Sequence, residues 1–174
     1  MSTILKRAAG PVLVAGLVVT SSATPAAAAQ PPGSTAFRIL GGLVGLQARA
    51  GVNNVVTAST STGRVILTDA TGIAIGPGCT RLDANSADCG SAATASRLAV
   101  QLGDGNDTFD GSAAAVSTTA DAGTGIDKVT TNGRNDVIGV QDNAGGDTVN
   151  CGAGVDTVFA DPGDTIVNCE RRFQ

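Results

Sequence analysis

Gly103-Asp104-Gly105-Asn106-Asp107-Thr108-Phe109 sets the pattern by which the rest of this chain can be read. Glycines open a turn, an aspartate closes it, and an apolar residue follows two positions later. The same order returns in Gly123-Thr124-Gly125-Ile126-Asp127-Lys128-Val129 and in Gly152-Ala153-Gly154-Val155-Asp156-Thr157-Val158. Weaker copies are Asn135-Asp136-Val137-Ile138, Gly145-Gly146-Asp147-Thr148-Val149 and Gly163-Asp164-Thr165-Ile166. Each has its apolar residue two places after the aspartate: Phe109, Val129, Ile138, Val149, Val158 and Ile166. A fixed internal period outranks local propensity as a clue to fold.

The aspartates fall into two interleaved columns. Asp107, Asp127, Asp147 and Asp164 are separated by 20, 20 and 17 residues, and Asp136 and Asp156, again 20 apart, lie between them. A coil of about 18–20 residues with two turns, and one Asp per turn, produces this spacing. The missing member of the second column is expected within Ala113-Ala114-Ala115-Val116, where no Asp occurs. The fold class expected is all-β, a parallel β-helix or β-roll solenoid. Scattered Gly-Asp turns in an unrelated β-protein are the alternative.

These residues resemble the hemolysin-type, or repeats-in-toxin, calcium-binding family, whose nonapeptide is G-G-x-G-x-D-x-U-x with U apolar. Residues 102–110 match it at Gly103, Gly105, Asp107 and Phe109, and residues 122–130 at Gly123, Gly125, Asp127 and Val129. Residues 151–159 match at Gly152, Gly154, Asp156 and Val158. The first glycine is replaced in all three, by Leu102, Ala122 and Cys151, and the copy around Asp136 has lost both leading glycines. The resemblance covers residues 97–169. It implies Ca²⁺ held between successive turns by backbone carbonyls and Asp carboxylates. The site residues carried over are Gly103, Gly105, Asp107, Gly123, Gly125, Asp127, Asp136, Asp147, Gly152, Gly154 and Asp156. The strongest site is expected between the Asp107 and Asp127 turns, with weaker ones at Asp127/Asp147 and Asp136/Asp156.

The chemistry of the motif agrees with that implication. Glycine tolerates turn conformations that a Cβ resists and brings carbonyl oxygens close to an ion. Asp adds a charged oxygen, and Ca²⁺ accepts six to eight such ligands. A single rung cannot bury its own strand, so stability must come from stacking. Aspartates repeated at the ~4.8 Å strand spacing repel one another unless a cation intervenes.

Composition points the same way. Four Phe are the only aromatics, and Ala, Val, Thr and Gly suit narrow stacked layers better than a bulky core. Of the fifteen acidic residues only Glu170 is a glutamate, which places the acid in turns rather than helices.

Residues 1–29 read as a secretory signal: Lys6 and Arg7, an apolar run from Val12 to Val19, then Ala27-Ala28-Ala29 before Gln30. A membrane anchor is the competing reading, but the run is well short of the ~20 residues a span needs. Without Lys6 and Arg7, nine basic residues face fifteen acidic ones, a net charge of −6. That balance disfavours nucleic acid and anionic membranes as partners and favours hard cations. The product expected is a secreted monomer without a membrane span.

The four cysteines suit an oxidising destination. Cys79 pairs most simply with Cys89, ten residues on, and Cys151 with Cys169, eighteen on. The second interval is about one coil and would pin the last rung. A zinc site is the weaker alternative, since no CxxC pair and no His is present.

Residues 30–42 are expected to be a flexible leader. Residues 43–96 are expected to hold the early coils and cap, with short strands near Leu43–Ala48, Asn54–Ala58, Arg64–Thr68 and Ile73–Ile75 and a tied Cys79–Cys89 loop. A separate small β-sandwich is the alternative there. Residues 97–174 carry the degenerate repeats.

No catalytic apparatus is legible. Ser and Thr have no His to activate them, and the lysines are Lys6 and Lys128 alone. Paired aspartates acting as a β-helix polysaccharide-degrading enzyme are one alternative to Ca²⁺ binding. A purely structural secreted solenoid with a surface or adhesion role is the other.

Overall fold

The computed structural model describes residues 30–174, so the expected signal segment with Lys6 and Arg7 lies outside the described residues. The described chain is all-β, relieved by one 3₁₀ turn at Ala92–Thr94. The strands of the N-terminal part are β1 (Ser34–Arg38), β2 (Leu43–Ala48), β3 (Val55–Ser61), β4 (Arg64–Asp69), β5 (Ile73–Ile75), β6 (Thr80–Arg81) and β7 (Ser86–Ser91). Those of the repeat region are β8 (Arg97–Gln101), β9 (Thr108–Ala113), β10 (Thr118–Asp121), β11 (Lys128–Thr130), β12 (Val137–Gly139), β13 (Thr148–Asn150), β14 (Thr157–Phe159), β15 (Thr165–Val167) and β16 (Arg171–Phe173).

From β8 onward the strands alternate between two mixed eight-stranded sheets. The first sheet runs β5-β1-β2-β8-β10-β12-β14-β16 and the second β6-β7-β4-β3-β9-β11-β13-β15. Every pairing in the repeat region is parallel. Thr108 lies beside Lys128 and Lys128 beside Thr148 in the second sheet, while Thr119 lies beside Val137 and Val137 beside Thr157 in the first. Equivalent residues of successive copies therefore sit side by side.

Three-residue strands such as Lys128–Thr130 direct their central residue inward, and one apolar side chain per strand fills the space between the sheets. Phe109, Val129, Ile138, Val149 and Val158 are fully buried there, each the residue two places after an aspartate. Burial of each stabilises the fold by about 1.5–3 kcal/mol relative to exposure. Ile166, on the edge strand β15, is only half-buried because no rung covers it.

Leu102, Ala122 and Cys151, which occupy the position of the first nonapeptide glycine, are also fully buried. At that position this chain places core residues. Each side chain faces inward at the end of a strand and extends the apolar filling toward the turn.

The N-terminal half joins the same sheets but is not a run of parallel coils. β2 and β3 form one parallel rung beneath β8 and β9. Beyond them the pairing is mostly antiparallel, β1 with β2, β3 with β4, β4 with β7, and β6 with β7, while β1 and β5 pair in parallel. Sheet continuity is kept while the parallel winding ends. The expectation of a flexible leader over residues 30–42 needs correction as well. Ser34–Arg38 is strand β1, held because Ala36 is buried against β2 and the strand pairs on both sides, with β2 and β5.

Both disulfides join the expected partners. Cys79–Cys89 ties the loop around β6 and β7, and Cys151–Cys169 links neighbouring rungs with a Cα separation of 5.3 Å. Their presence suggests an extracellular or otherwise oxidising environment. Among the described residues no helix is long and apolar enough to cross a membrane.

Candidate metal centre

The chain passes from the first sheet to the second through one set of turns and returns through another, so the two sets stack separately. Asp107, Asp127, Asp147 and Asp164 line the outward set. Asp136 and Asp156 line the return set. The expected site residues therefore come together in two columns at opposite edges of the sheets and form no single cluster.

Within each column the contact is the same. The backbone N–H of Asp107 donates to Oδ1 of Asp127 (2.7 Å), and that of Asp127 donates to Oδ1 of Asp147 (2.7 Å). The N–H of Asp147 donates to Oδ1 of Asp164 (3.1 Å). In the second column the N–H of Asp136 donates to Oδ1 of Asp156 (2.7 Å). Each carboxylate so receives a backbone donor of the preceding rung that the strand ladder leaves free. An unpaired buried N–H costs as much as a lost hydrogen bond, and a charged acceptor roughly doubles the bond's strength.

Both columns extend beyond the residues with the motif. Asn54 heads the first, its N–H donating to Oδ1 of Asp107 (2.6 Å) across a sequence separation of 53. Thr118 heads the second, its N–H donating to Oδ1 of Asp136 (2.6 Å). The expected member within Ala113–Val116 is displaced to Thr118 because the interval here is two residues shorter, a separation of 18 where its successor has 20. Glu170 ends the second column by accepting from the N–H of Asp156 through Oε2 (2.8 Å). Asparagine side chains form a parallel ladder on the outside of the turns: Asn106 N–H to Asn53 Oδ1 and Ile126 N–H to Asn106 Oδ1.

Turn stacking explains the glycines. Gly123 has φ +87°, and a Cβ there would lie 1.8 Å from the carbonyl oxygen of Gly103. Gly125, at φ +140°, would place a Cβ 1.8 Å from the carbonyl oxygen of Gly105. Gly152 and Gly154 likewise press against the carbonyl oxygens of Asn132 and Arg134. The backbones approach too closely for any other residue.

The electrostatics leave the columns short of positive charge. Asp107, Asp127, Asp136, Asp147 and Asp156 are at most 2% exposed. Burial pushes Asp107 up to about 6, with the charges of Asp69 and Asp104 adding to it. Burial likewise pushes Asp127 up to about 6, reinforced by Asp107, Asp147 and Asp142. Asp136, Asp147 and Asp156 are raised in the same direction, burial again being the largest cause. The second oxygens of Asp107, Asp127 and Asp156 are buried without a hydrogen-bond partner. Among the described residues the one salt bridge is Arg64–Asp88, away from both columns.

A hard cation fits this donor chemistry: the available groups are oxygens, charged, desolvated and in part unpartnered. They stand in file and do not converge. Among the described residues no group of three or more His, Cys, Asp or Glu is arranged to hold a metal ion. An ion between rungs would be served by the Asp carboxylates together with backbone carbonyls and water. Comparison with known proteins finds no family model, no curated protein and no solved structure that matches the chain.

Proposed function

We propose that this is a secreted, non-enzymatic Ca²⁺-binding β-solenoid of the hemolysin-type repeat kind, in which the ion is held in the Gly/Asp turns between rungs. The observation that carries the reading is the set of buried, unpartnered carboxylate oxygens at Asp107, Asp127 and Asp156. A buried carboxylate with no basic neighbour must take up a proton or a cation to offset its desolvation. Gly103, Gly105, Gly123 and Gly125 supply the close-packed turn carbonyls, and Asp107, Asp127 and Asp147 the charge, of the first column. Gly152, Gly154, Asp136 and Asp156 do the same in the second. The ion's contribution when bound is charge neutralisation between stacked turns, so Ca²⁺ acts on stability and rigidity and takes no part in a reaction.

A purely structural solenoid is the second reading, favoured by one specific observation. The Asp107 N–H to Asp127 Oδ1 bond and its equivalents give every column aspartate a role that needs no ion. Calorimetric titration of the mature chain with Ca²⁺ separates the two. Binding in the ~10⁻⁴–10⁻³ M range of extracellular modules supports the first. No heat of binding up to ~10 mM leaves the structural reading.

A further inference from the structure

The head of the first column differs from the rungs that follow. Asn54, Asp69 and Ser34 are buried there together, between β3, β4 and β1. The Asn54 Nδ2 group donates to the Gly33 carbonyl (3.0 Å), to Asp69 Oδ2 (2.8 Å) and to Thr71 Oγ1 (3.0 Å). Asp69 Oδ1 accepts from the N–H and the hydroxyl of Thr71 (2.9 and 2.7 Å). These bonds fix the orientation of the Asn54 amide: its nitrogen faces the acceptors, and its oxygen must face elsewhere. That oxygen is buried and has no partner. Two further oxygens in the neighbourhood share this state. One is Oγ of Ser34, next in the chain to Gly33, and the other is Oδ2 of Asp107, whose Oδ1 is bonded to the Asn54 N–H.

Three orphan oxygens, one of them on the Asp107 carboxylate, with Asp69 as a second buried carboxylate and no basic group paired to either, are a ligand set lacking a cation. Burying such charge without a counter-charge is strongly unfavourable. Two carboxylates call for a divalent ion. A polar cleft of about 610 Å³ lies next to this cluster, lined among others by Asn53, the neighbour of Asn54, and by Thr71, which bonds Asn54 and Asp69.

We propose that Ser34 Oγ, Asn54 Oδ1 and Asp107 Oδ2 seat a Ca²⁺ ion at the N-terminal head of the column, with the Asp69 carboxylate, on the nitrogen side of the Asn54 amide, adding charge and not a ligand. The site takes only Asp107 from a glycine-aspartate repeat; Ser34 and Asn54 lie outside them. It rests on the reading that the column binds Ca²⁺, but it uses a different turn and a neutral amide where the other rungs have a charge.

Calcium titration calorimetry on the mature chain, with melting curves in Ca²⁺ and in EGTA, tests it in three variants. Ser34→Ala removes a hydroxyl that has no partner, so the melting temperature in EGTA stays near wild type while one Ca²⁺ site weakens or disappears. Asn54→Asp adds charge at the site but replaces the Nδ2 donor with an oxygen beside Asp69 Oδ2, so it makes folding depend on Ca²⁺. Asp127→Ala weakens the repeat sites and leaves the head site occupied. If Ser34→Ala and Asn54→Asp titrate like wild type while Asp127→Ala loses binding, the cluster holds a buried water only and the head site falls, with the repeat reading intact. If Ser34→Ala weakens a site while Asp127→Ala titrates like wild type, the head site stands and the repeat reading falls. Should Asn54→Asp not fold even in Ca²⁺, Ser34→Ala decides alone. Absence of Ca²⁺ binding by the wild-type chain overturns both.

Discussion

The backbone N–H of Asp107 lies 2.7 Å from Oδ1 of Asp127, a residue twenty positions later in the chain. One contact thus joins two turns, satisfies a buried donor and commits a negative charge to the interior. The column repeats it, so each aspartate supports its predecessor while adding to the repulsion along the file.

The two roles of Asp127 come apart on substitution. Asp127→Asn keeps an oxygen for the Asp107 N–H and removes the charge, so in EGTA its stability should equal or exceed wild type. Asp127→Ala strands that N–H and should cost about 1–3 kcal/mol under the same conditions. Both should lose part of the stabilisation that Ca²⁺ provides. Chemical denaturation in EGTA and in millimolar Ca²⁺ reads all four numbers, and an Asn variant as unstable as the Ala variant would refute the separation.

Gly103 and Gly123 make a matched pair. Both have positive φ, +96° and +87°, but a Cβ at Gly103 meets nothing within 4 Å while one at Gly123 meets the Gly103 carbonyl at 1.8 Å. Gly103→Ala should cost about 1–2 kcal/mol, the left-handed conformation alone. Gly123→Ala should cost about 1–3 kcal/mol more from forced displacement of the preceding turn. Urea unfolding of the two variants measures the difference, and equal losses would mean the rungs are less closely stacked.

Acid should stabilise the Ca²⁺-free chain through the first column. Asp107 and Asp127 are raised from 3.8 to about 6, so between these values the folded state binds more protons than the unfolded one. Their contribution is present below the ordinary carboxylate range and is lost as pH rises through about 6. Asp88, lowered by its hydrogen bond to Arg64, works in the opposite sense. The informative quantity is therefore the difference between wild type and Asp107→Asn/Asp127→Asn: in EGTA the double variant should lose less stability between pH 4 and 7. Parallel melting-temperature profiles would contradict this.

Removing the Cys151–Cys169 bond should loosen the C-terminal rungs selectively. The bond closes an interval of 18 residues, worth about 3 kcal/mol in chain entropy. It joins the turns that hold β14, β15 and β16, of which β15 and β16 are edge strands. Hydrogen exchange on Cys151→Ala/Cys169→Ala should show faster exchange in residues 157–173 and unchanged protection in β8 and β9. Uniform loss of protection would show that the chain unfolds as a single unit.

The period of the repeats was legible because each rung repeats one physical problem. A close-packed turn needs glycine, a free N–H needs an acceptor, and a short strand needs an inward apolar residue. Gly123, Asp127 and Val129 solve it in a fixed order, and the 20-residue interval places one solution beside the next. The Cys151–Cys169 pair followed from nearly the same interval, the Cys79–Cys89 pair from its short separation, and β2, β4 and β5 from their alternation and turns.

Asn54, Thr118 and Glu170 were not legible as column members. Fifty-three positions separate Asn54 from Asp107 and include the antiparallel excursion of β4, β6 and β7, across which spacing carries no information. Thr118 takes part through its backbone N–H, which every non-proline residue has, and Glu170 through a longer side chain that breaks the aspartate pattern. Leu102, Ala122 and Cys151 looked like lost glycines until their burial identified them as core.

The sequence by itself determined the all-β class, the two aspartate columns and the Cys151–Cys169 pair, because these depend on local chemistry repeated at a nearly constant interval, and the Cys79–Cys89 pair through its short separation. Only the tertiary structure decided what stands at the ends of the columns, which oxygens lack partners, and how parallel rungs give way to an antiparallel cap. Those outcomes depend on which distant segments meet. The contact between Asn54 and Asp107 exists because β3 pairs with β9, and no local signal in either segment specifies that pairing.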